Sequence, residues 1–207
     1  MMDIRFGVYL EGSSPGADKI FLNEYEVNRG PWTFFTPTLP TGCTFNEDIC
    51  AWEARYIEYI DLPVSINGVF SNGYHIYYDV CCRNDDIVNL VNPGLTGSAV
   101  YAFIPNPLLV NNSPVFSDTP LPFICAGDTA SLLNTAFDPD GDLLVFSFTE
   151  PYKGYSGGGN PQPVYSADIN PLVWPIPQVT WNTGFNMNQP FGNTGYSYIN
   201  GFTGYSE

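Results

Sequence analysis

The chain has 207 residues and a lopsided charge: 21 acidic side chains against 6 basic ones leave a net charge of −15. That balance excludes nucleic acid as a partner, because neutralising phosphates takes Lys and Arg patches, and it disfavours anionic membrane surfaces. Aromatics at 16% exclude a solvated acidic tail, and no run of about 18 apolar residues is present for direct membrane insertion.

Glycine (20) and proline (19) punctuate short β-branched and aromatic runs, the texture of an all-β chain. Met1 to Phe6 lacks the basic and apolar regions of a signal peptide. The chain therefore reads as a mature region or fragment whose export signal lies outside it. Ile4 to Leu10 is extended, Glu11 to Gly16 is a loop, and Lys19 to Val27 and Trp32 to Thr36 are the next strands. Thr38 to Asn46 is a Pro/Gly/Cys-rich loop. Trp52 to Ile60 alternates in a way that favours a strand over helical turns. Gly73 to Cys82 is the best strand of this half, and Ala99 to Ile104 is its last, before Pro105-Asn106-Pro107.

A second module begins at Asn111. Ser117 to Ile124 carries two prolines and belongs to an edge or linker. Ala130 to Phe137 and Leu143 to Phe148 flank an acidic turn. Gly154 to Pro163 is a Gly-rich loop, and Gln178 to Trp181 is a short strand. The tail from Asn182 to Glu207 is too short to finish a second sandwich. Either the chain is cut within that domain, or a partner or neighbouring copy completes its sheet. These elements predict an all-β fold of two tandem Ig/cadherin-like β-sandwiches, residues 1–110 and 111–207, the second incomplete in itself.

The acidic turn reads Asp138-Pro139-Asp140-Gly141-Asp142. Alternate residues of an extended segment point the same way, so the three carboxylates would crowd together. Two like charges about 4 Å apart repel by roughly 4 kcal/mol at an effective dielectric near 20. A structural Ca²⁺ removes that penalty and accepts several oxygen ligands in flexible geometry. The plain alternative is a solvated turn built from ordinary turn formers. An EF-hand is excluded: counted from Asp138, the sixth position is Leu143 rather than glycine and the twelfth is Thr149 rather than glutamate.

Cys43, Cys50, Cys81, Cys82 and Cys125 include no Cys-x-x-Cys pair and have no His partner, which argues against zinc. They are disulfide candidates in an oxidising compartment, with one thiol left over. Cys43 and Cys50 are near enough to close a short loop. Cys81 and Cys82, if extended, face opposite ways. Cys82 then shares a face with Tyr74, Ile76, Tyr78 and Val80, which suggests the core side, and one of the two is expected to pair with Cys125.

Asn111-Asn112-Ser113-Pro114-Val115-Phe116, followed by Asp138-x-Asp140 and Phe146-Ser147, resembles the cadherin-like module. In that family an Asn-x-Pro linker and an Asp-x-Asp both contribute to calcium at a domain junction. The resemblance implies Asn111, Asn112, Asp138 and Asp140 as ligands, with Asp142 extra, as in polycystic-kidney-disease-like repeats. No counterpart of the family's glutamates in the preceding domain can be placed. The order Cys81-Cys82-Arg83-Asn84, Asn112-Ser113-Pro114-Val115-Phe116, Ile124-Cys125-Ala126-Gly127 and the acidic turn is similar to gliding-motility-associated, type IX-secreted adhesin-like proteins of Bacteroidota. Two cysteines usual in that family are missing: the sequence reads Val8 to Gly12 and Asn72-Gly73-Tyr74 instead, which puts the family's disulfide map in doubt. The family's terminal sorting domain is also absent.

The resemblance implies a non-enzymatic extracellular module of a cell-surface adhesin or fibre, stiffened by calcium, with neighbouring domains or identical subunits as partners. Self-assembly into a filament is the close second reading. A third is glycan binding, with Trp174 and Trp181 as stacking candidates among Tyr152, Tyr155 and the tail tyrosines; the plainer role for aromatics is core filling. Enzymatic activity ranks last. His75 is the one histidine, placed among tyrosines where a packed imidazole is the ordinary outcome, and no Ser/His/Asp or Cys/His arrangement is visible. Glu53, Glu58 and Asp79 are the carboxylates a glycoside hydrolase would need to bring together. Asp128-Thr129-Ala130 resembles the O-glycosylation acceptor of Bacteroidota, which marks Thr129.

Overall fold

The structure, a computed structural model, describes residues 4–12, 19–27, 30–35, 51–117, 135–154 and 174–192. Its strands are β1 (Ile4–Leu10), β2 (Ile20–Val27), β3 (Trp32–Phe35), β4 (Ala51–Ala54), β5 (Ser65–Ile66), β6 (Val69–Phe70), β7 (Tyr74–Val80), β8 (Gly97–Ile104), β9 (Val115–Phe116), β10 (Ala136–Phe137) and β11 (Lys153–Gly154). The described residues are nearly all β, with one 3₁₀ turn at Pro93–Leu95 and no α-helix. None of them forms a helix long and apolar enough to cross a membrane.

The chain clusters into two compact units that interleave in sequence. One comprises Met1–Asn28, Glu58–Val110 and Phe148–Tyr198; the other comprises Arg29–Ile57, Asn111–Ser147 and Ile199–Glu207. The motifs, by contrast, suggested a single boundary after Val110.

The first unit is built on a five-stranded antiparallel sheet in the order β11-β8-β7-β1-β2. The β1–β2 register runs from Ile4 opposite Val27 to Leu10 opposite Ile20, shifting by one residue between Val8 and Tyr9. In this register Tyr9 lies opposite His75 on β7, and Tyr77 lies opposite Tyr101 on β8. Directly opposed residues share a face, so Tyr9, His75, Tyr77, Asp79, Ala99, Tyr101 and Phe103 line one side. Tyr9, Tyr77 and Ala99 form a buried cluster with Ile176, and Phe21, Tyr101, Tyr152 and Trp174 pack against it. Tyr9 meets Phe21 and Tyr77 edge-on, with centroids 5.5 and 6.5 Å apart. Edge-on is the geometry ring quadrupoles favour.

This corrects the expected orientation of β7. The cluster lies on the His75–Tyr77–Asp79 side, whereas Ile76, Tyr78 and Val80 on the opposite side are only half-buried. Tyr74 on that second side is nevertheless fully buried and donates its hydroxyl to the carbonyl of Pro63. The misleading signal is polarity. His75 and Asp79 look like a solvent face, but both are 2% exposed, with both ring nitrogens of His75 hydrogen-bonded and Asp79 Oδ2 accepting from the Tyr77 hydroxyl. Burying a polar group is cheap once it is hydrogen-bonded.

The segment over this face is held along its length. Lys153 N donates to Pro177 O at 2.7 Å, Val179 N to Pro151 O at 3.0 Å, and Val91 N to Thr180 O at 2.9 Å. The expected strand at Gln178 to Trp181 is thus two isolated bridges, to Tyr152 and Leu90. Arg83 ties the same region to β8, donating to Gly97 O at 3.2 Å and to Tyr152 O at 3.1 Å.

In the second unit β3 pairs with β4 and β9 with β10. The expected strand at Leu143 to Phe148 is not formed: these residues take no regular secondary structure, and Leu143 and Val145 are 83% and 85% exposed. Hydrophobic alternation predicts a strand only where a ladder partner takes its N–H and C=O groups. The strand over Trp52 to Ile60 likewise ends at Ala54. Of Ala130 to Phe137 only Ala136–Phe137 is seen as strand, and residues 130–134 lie outside the described residues.

Candidate functional site

The most distinctive chemistry in the first unit lies at the end of the β1–β2 hairpin. Glu11 follows the last residue of β1 and Lys19 precedes the first of β2, so the two continue the Leu10–Ile20 pairing. Opposite charges facing each other across an antiparallel pair attract. Lys19 Nζ lies 2.9 Å from Glu11 Oε2 and 3.0 Å from Oε1. Only 2% of Lys19 is exposed, and a buried ammonium persists only when paired. Gly73 makes the close approach possible. Its φ is +130°, and a Cβ there would lie 2.5 Å from the Phe103 ring. Its carbonyl accepts the Glu11 N–H at 3.0 Å.

His75 completes the group. Its Nε2 is hydrogen-bonded to Glu11 Oε2, and its Nδ1 lies 2.8 Å from the Tyr101 hydroxyl. A carboxylate only accepts, so Nε2 carries the proton and donates. Burial, and then the charges of Glu11 and Tyr152, push the Tyr101 hydroxyl up to about 12. It stays protonated at neutral pH and donates to Nδ1. The imidazole is thereby fixed as the neutral Nε2–H tautomer.

Trp174 lies over the group, its centroid 5.4 Å from that of His75, 5.3 Å from that of Tyr101 and 4.7 Å from Lys19 Nζ. The Phe103 ring centroid lies 5.0 Å from that of the imidazole. Burial raises the Glu11 carboxyl, but hydrogen bonds from Lys19 and His75 outweigh it and hold Glu11 below the usual carboxylate range. Burial also dominates at His75 and lowers it, aided by the charge of Lys19 and opposed by Glu11. Glu11, Lys19 and Tyr101 were not singled out from the sequence as its partners. The readable signal was a Glu and a Lys flanking the loop between two strands.

The carboxylates considered for glycoside hydrolysis sit in local contacts. Asp79 accepts from the Tyr77 hydroxyl at 3.4 Å, Glu53 pairs with Arg55 at 3.4 Å, and Glu58 accepts the Tyr59 N–H at 3.1 Å. Trp174 is engaged as described, and Trp181 donates its Nε1–H to Glu150.

In the second unit the acidic turn is closed by hydrogen bonds. Asp138 Oδ1 accepts from Asp140 N at 2.8 Å and Asp142 N at 3.3 Å, and Asp138 O accepts from Gly141 N at 3.1 Å. Gly141 takes φ +82°, the left-handed conformation the turn needs. Asn112 reaches the same turn. Its N and Nδ2 donate to Asp140 Oδ2 and Oδ1 at 2.5 and 2.8 Å, and these bonds hold the Asp140 carboxyl below its ordinary value. The linker asparagine and the Asp-x-Asp are thus in contact, while Asn111 is exposed. The oxygens are right in kind for Ca²⁺. As arranged, however, Asn112 offers Asp140 its N–H groups. Among the described residues no three His, Cys, Asp or Glu side chains are grouped to hold a metal ion.

Cys81 and Cys82 form a vicinal disulfide across a cis peptide bond. The expectation of opposite faces assumed a continuing strand, but β7 ends at Val80. Cys81 is the buried one of the two. Cys43, Cys50, Cys125, Thr129 and Tyr155 lie outside the described residues.

No protein-family model, no curated protein and no solved structure matches this chain.

Proposed function

We propose that the chain is a non-enzymatic, extracellular module of a cell-surface adhesin or fibre, built from Ig/cadherin-like sandwiches, that joins identical subunits or neighbouring domains by strand addition. The observation that carries this reading is β2. It is an eight-residue edge strand of the main sheet, no described strand pairs with its outer side, and Ile20 and Leu22 are 55% and 38% exposed on it. An edge of that length offers a row of backbone donors and acceptors to an incoming strand. The aromatic, Asn/Gly-rich sequence from Asn193 to Glu207 supplies a strand of suitable composition from another copy.

The expected result is concentration-dependent association by light scattering. It strengthens when salt screens the net charge of −15. Leu22→Lys, a charge on the edge, abolishes it while leaving the circular dichroism unchanged. A wild-type chain that stays monodisperse and monomeric at every salt concentration sinks the reading.

Calcium at the acidic turn is the second part of the proposal, supported by the contact between Asn112 and Asp140, 28 residues apart. Binding requires Asp140 to exchange its Asn112 donors for the ion. Calcium at about 10⁻⁴ to 10⁻³ M, the range of extracellular modules, then raises the melting temperature, and Asp140→Ala removes the rise. If Asp140→Ala lowers the melting temperature equally in calcium and in chelator, the turn is only a hydrogen-bonded tie between the two segments. Glycan stacking by Trp174 or Trp181 is the less favoured reading, because both indoles are already engaged within the first unit.

A further inference from the structure

We propose that Glu11, His75, Tyr101 and Lys19 form a proton-operated clamp: with His75 neutral they hold Trp174 down on the sheet, and proton uptake by His75 releases it. The geometry states the two positions. In the closed one, the Nε2–H of His75 and the ammonium of Lys19 share the single carboxylate of Glu11, while Nδ1 accepts from Tyr101. Both ring nitrogens of His75 and the Lys19 ammonium are thus partnered. The Trp174 ring then rests on the imidazole and over the Lys19 ammonium.

A proton on Nδ1 changes three things together. Tyr101 must turn its hydroxyl from donor to acceptor, and its own proton loses its partner. Two cations now share one carboxylate in a place where His75 and Lys19 are each 2% exposed. The ring that Trp174 packs against becomes charged and draws water. Uncompensated buried charge is costly and is relieved by hydration, and Trp174 packs against both cations of the group. The segment after it stays in place, because Pro177, Val179, Thr180 and Asn182 are tied by hydrogen bonds the proton does not touch.

Described groups face His75 from each packed element. Tyr9 and Glu11 come from β1 and its end, Lys19 from the start of β2, Phe103 and Tyr101 from β8, Trp174 from the covering segment, and Tyr77 and Asp79 follow on β7 itself. Only Glu11 and Lys19 are charged and in contact. The sign follows. A histidine held below its ordinary value, about 6.5, contributes stability that is complete above that pH and is lost as pH falls towards the folded value. Glu11, held low, is lost only further down. The first acid step therefore belongs to His75.

His75 is the only histidine and Trp174 one of four tryptophans, so both ends of the clamp can be read singly. The experiment is NMR of the full chain from pH 8 to pH 5, following imidazole nitrogen shifts and 5-fluorotryptophan resonances, with Trp174→Phe giving the assignment. The expected result is an Nε2–H tautomer at pH 8, and a Trp174 resonance that moves in step with imidazole protonation while Trp181 stays fixed. In His75→Gln the Trp174 response is lost. Tyr101→Phe, which keeps the Glu11 pairing but removes the donor to Nδ1, shifts the transition to higher pH and serves if His75→Gln does not fold. A Trp174 resonance that stays put while the imidazole takes its proton overturns the clamp. So does a transition in which all four tryptophans move together, because that is unfolding of the whole chain.

Discussion

Tyr9→Ala is expected to destabilise the first unit by about 3–5 kcal/mol, the range for truncating a buried aromatic side chain. Tyr9 is 0% exposed, sits on β1, an inner strand of the sheet, and touches Phe21 and Tyr77 edge-on. Removing its ring opens a void that the strands cannot close, since β1 is paired on both sides, with β2 and with β7. Domains are stable by only about 5–15 kcal/mol, so the variant loses a large part of its margin. Urea unfolding followed by near-ultraviolet circular dichroism measures the loss. Tyr9→Phe keeps the ring and costs far less. Similar losses for Ala and Phe would show that the hydroxyl, rather than the ring packing, holds the site together.

The second large effect is expected from breaking the Glu11–Lys19 pair on one side only. Glu11→Ala leaves the Lys19 ammonium buried without its carboxylate and takes the acceptor from His75 Nε2. Losing one partner of a buried pair costs about 3–5 kcal/mol. Converting both members, Glu11→Leu with Lys19→Met, is expected to recover most of that loss, because apolar side chains of similar size replace a buried pair at little or no cost. A double-mutant cycle by urea denaturation checks this. If the double variant is as unstable as the sum of the two single ones, the pair is not coupled and the packing around it is what matters.

The all-β character was legible because β1, β2, β3, β7 and β8 each combine β-branched and aromatic runs with Gly/Pro punctuation, and each was placed within a residue or two of its observed bounds. The buried polar group was not legible. It depends on which face of β7 is covered, and that is decided by residues 174–179, about a hundred positions downstream. Period-2 alternation on β7 gives two faces without saying which one is inside, and the apolar Ile76 and Val80 pointed the wrong way. Leu143 to Phe148 failed for a related reason, because pairing is a property of two segments and only one was considered. The contact of Asn112 with Asp140 was foreseen only through the cadherin resemblance, since nothing in their local sequence brings together residues so far apart.

The interleaving of the two units bears on how the chain matures. Strands β1, β2, β7 and β8 are all synthesised before residue 105, yet Ile176 and Trp174, which pack on their aromatic face, emerge only after the Arg29–Ile57 and Asn111–Ser147 segments of the second unit have been made. A nascent chain released early carries an uncovered aromatic face with a buried-type lysine and histidine on it. Completion of the aromatic core therefore waits for late translation.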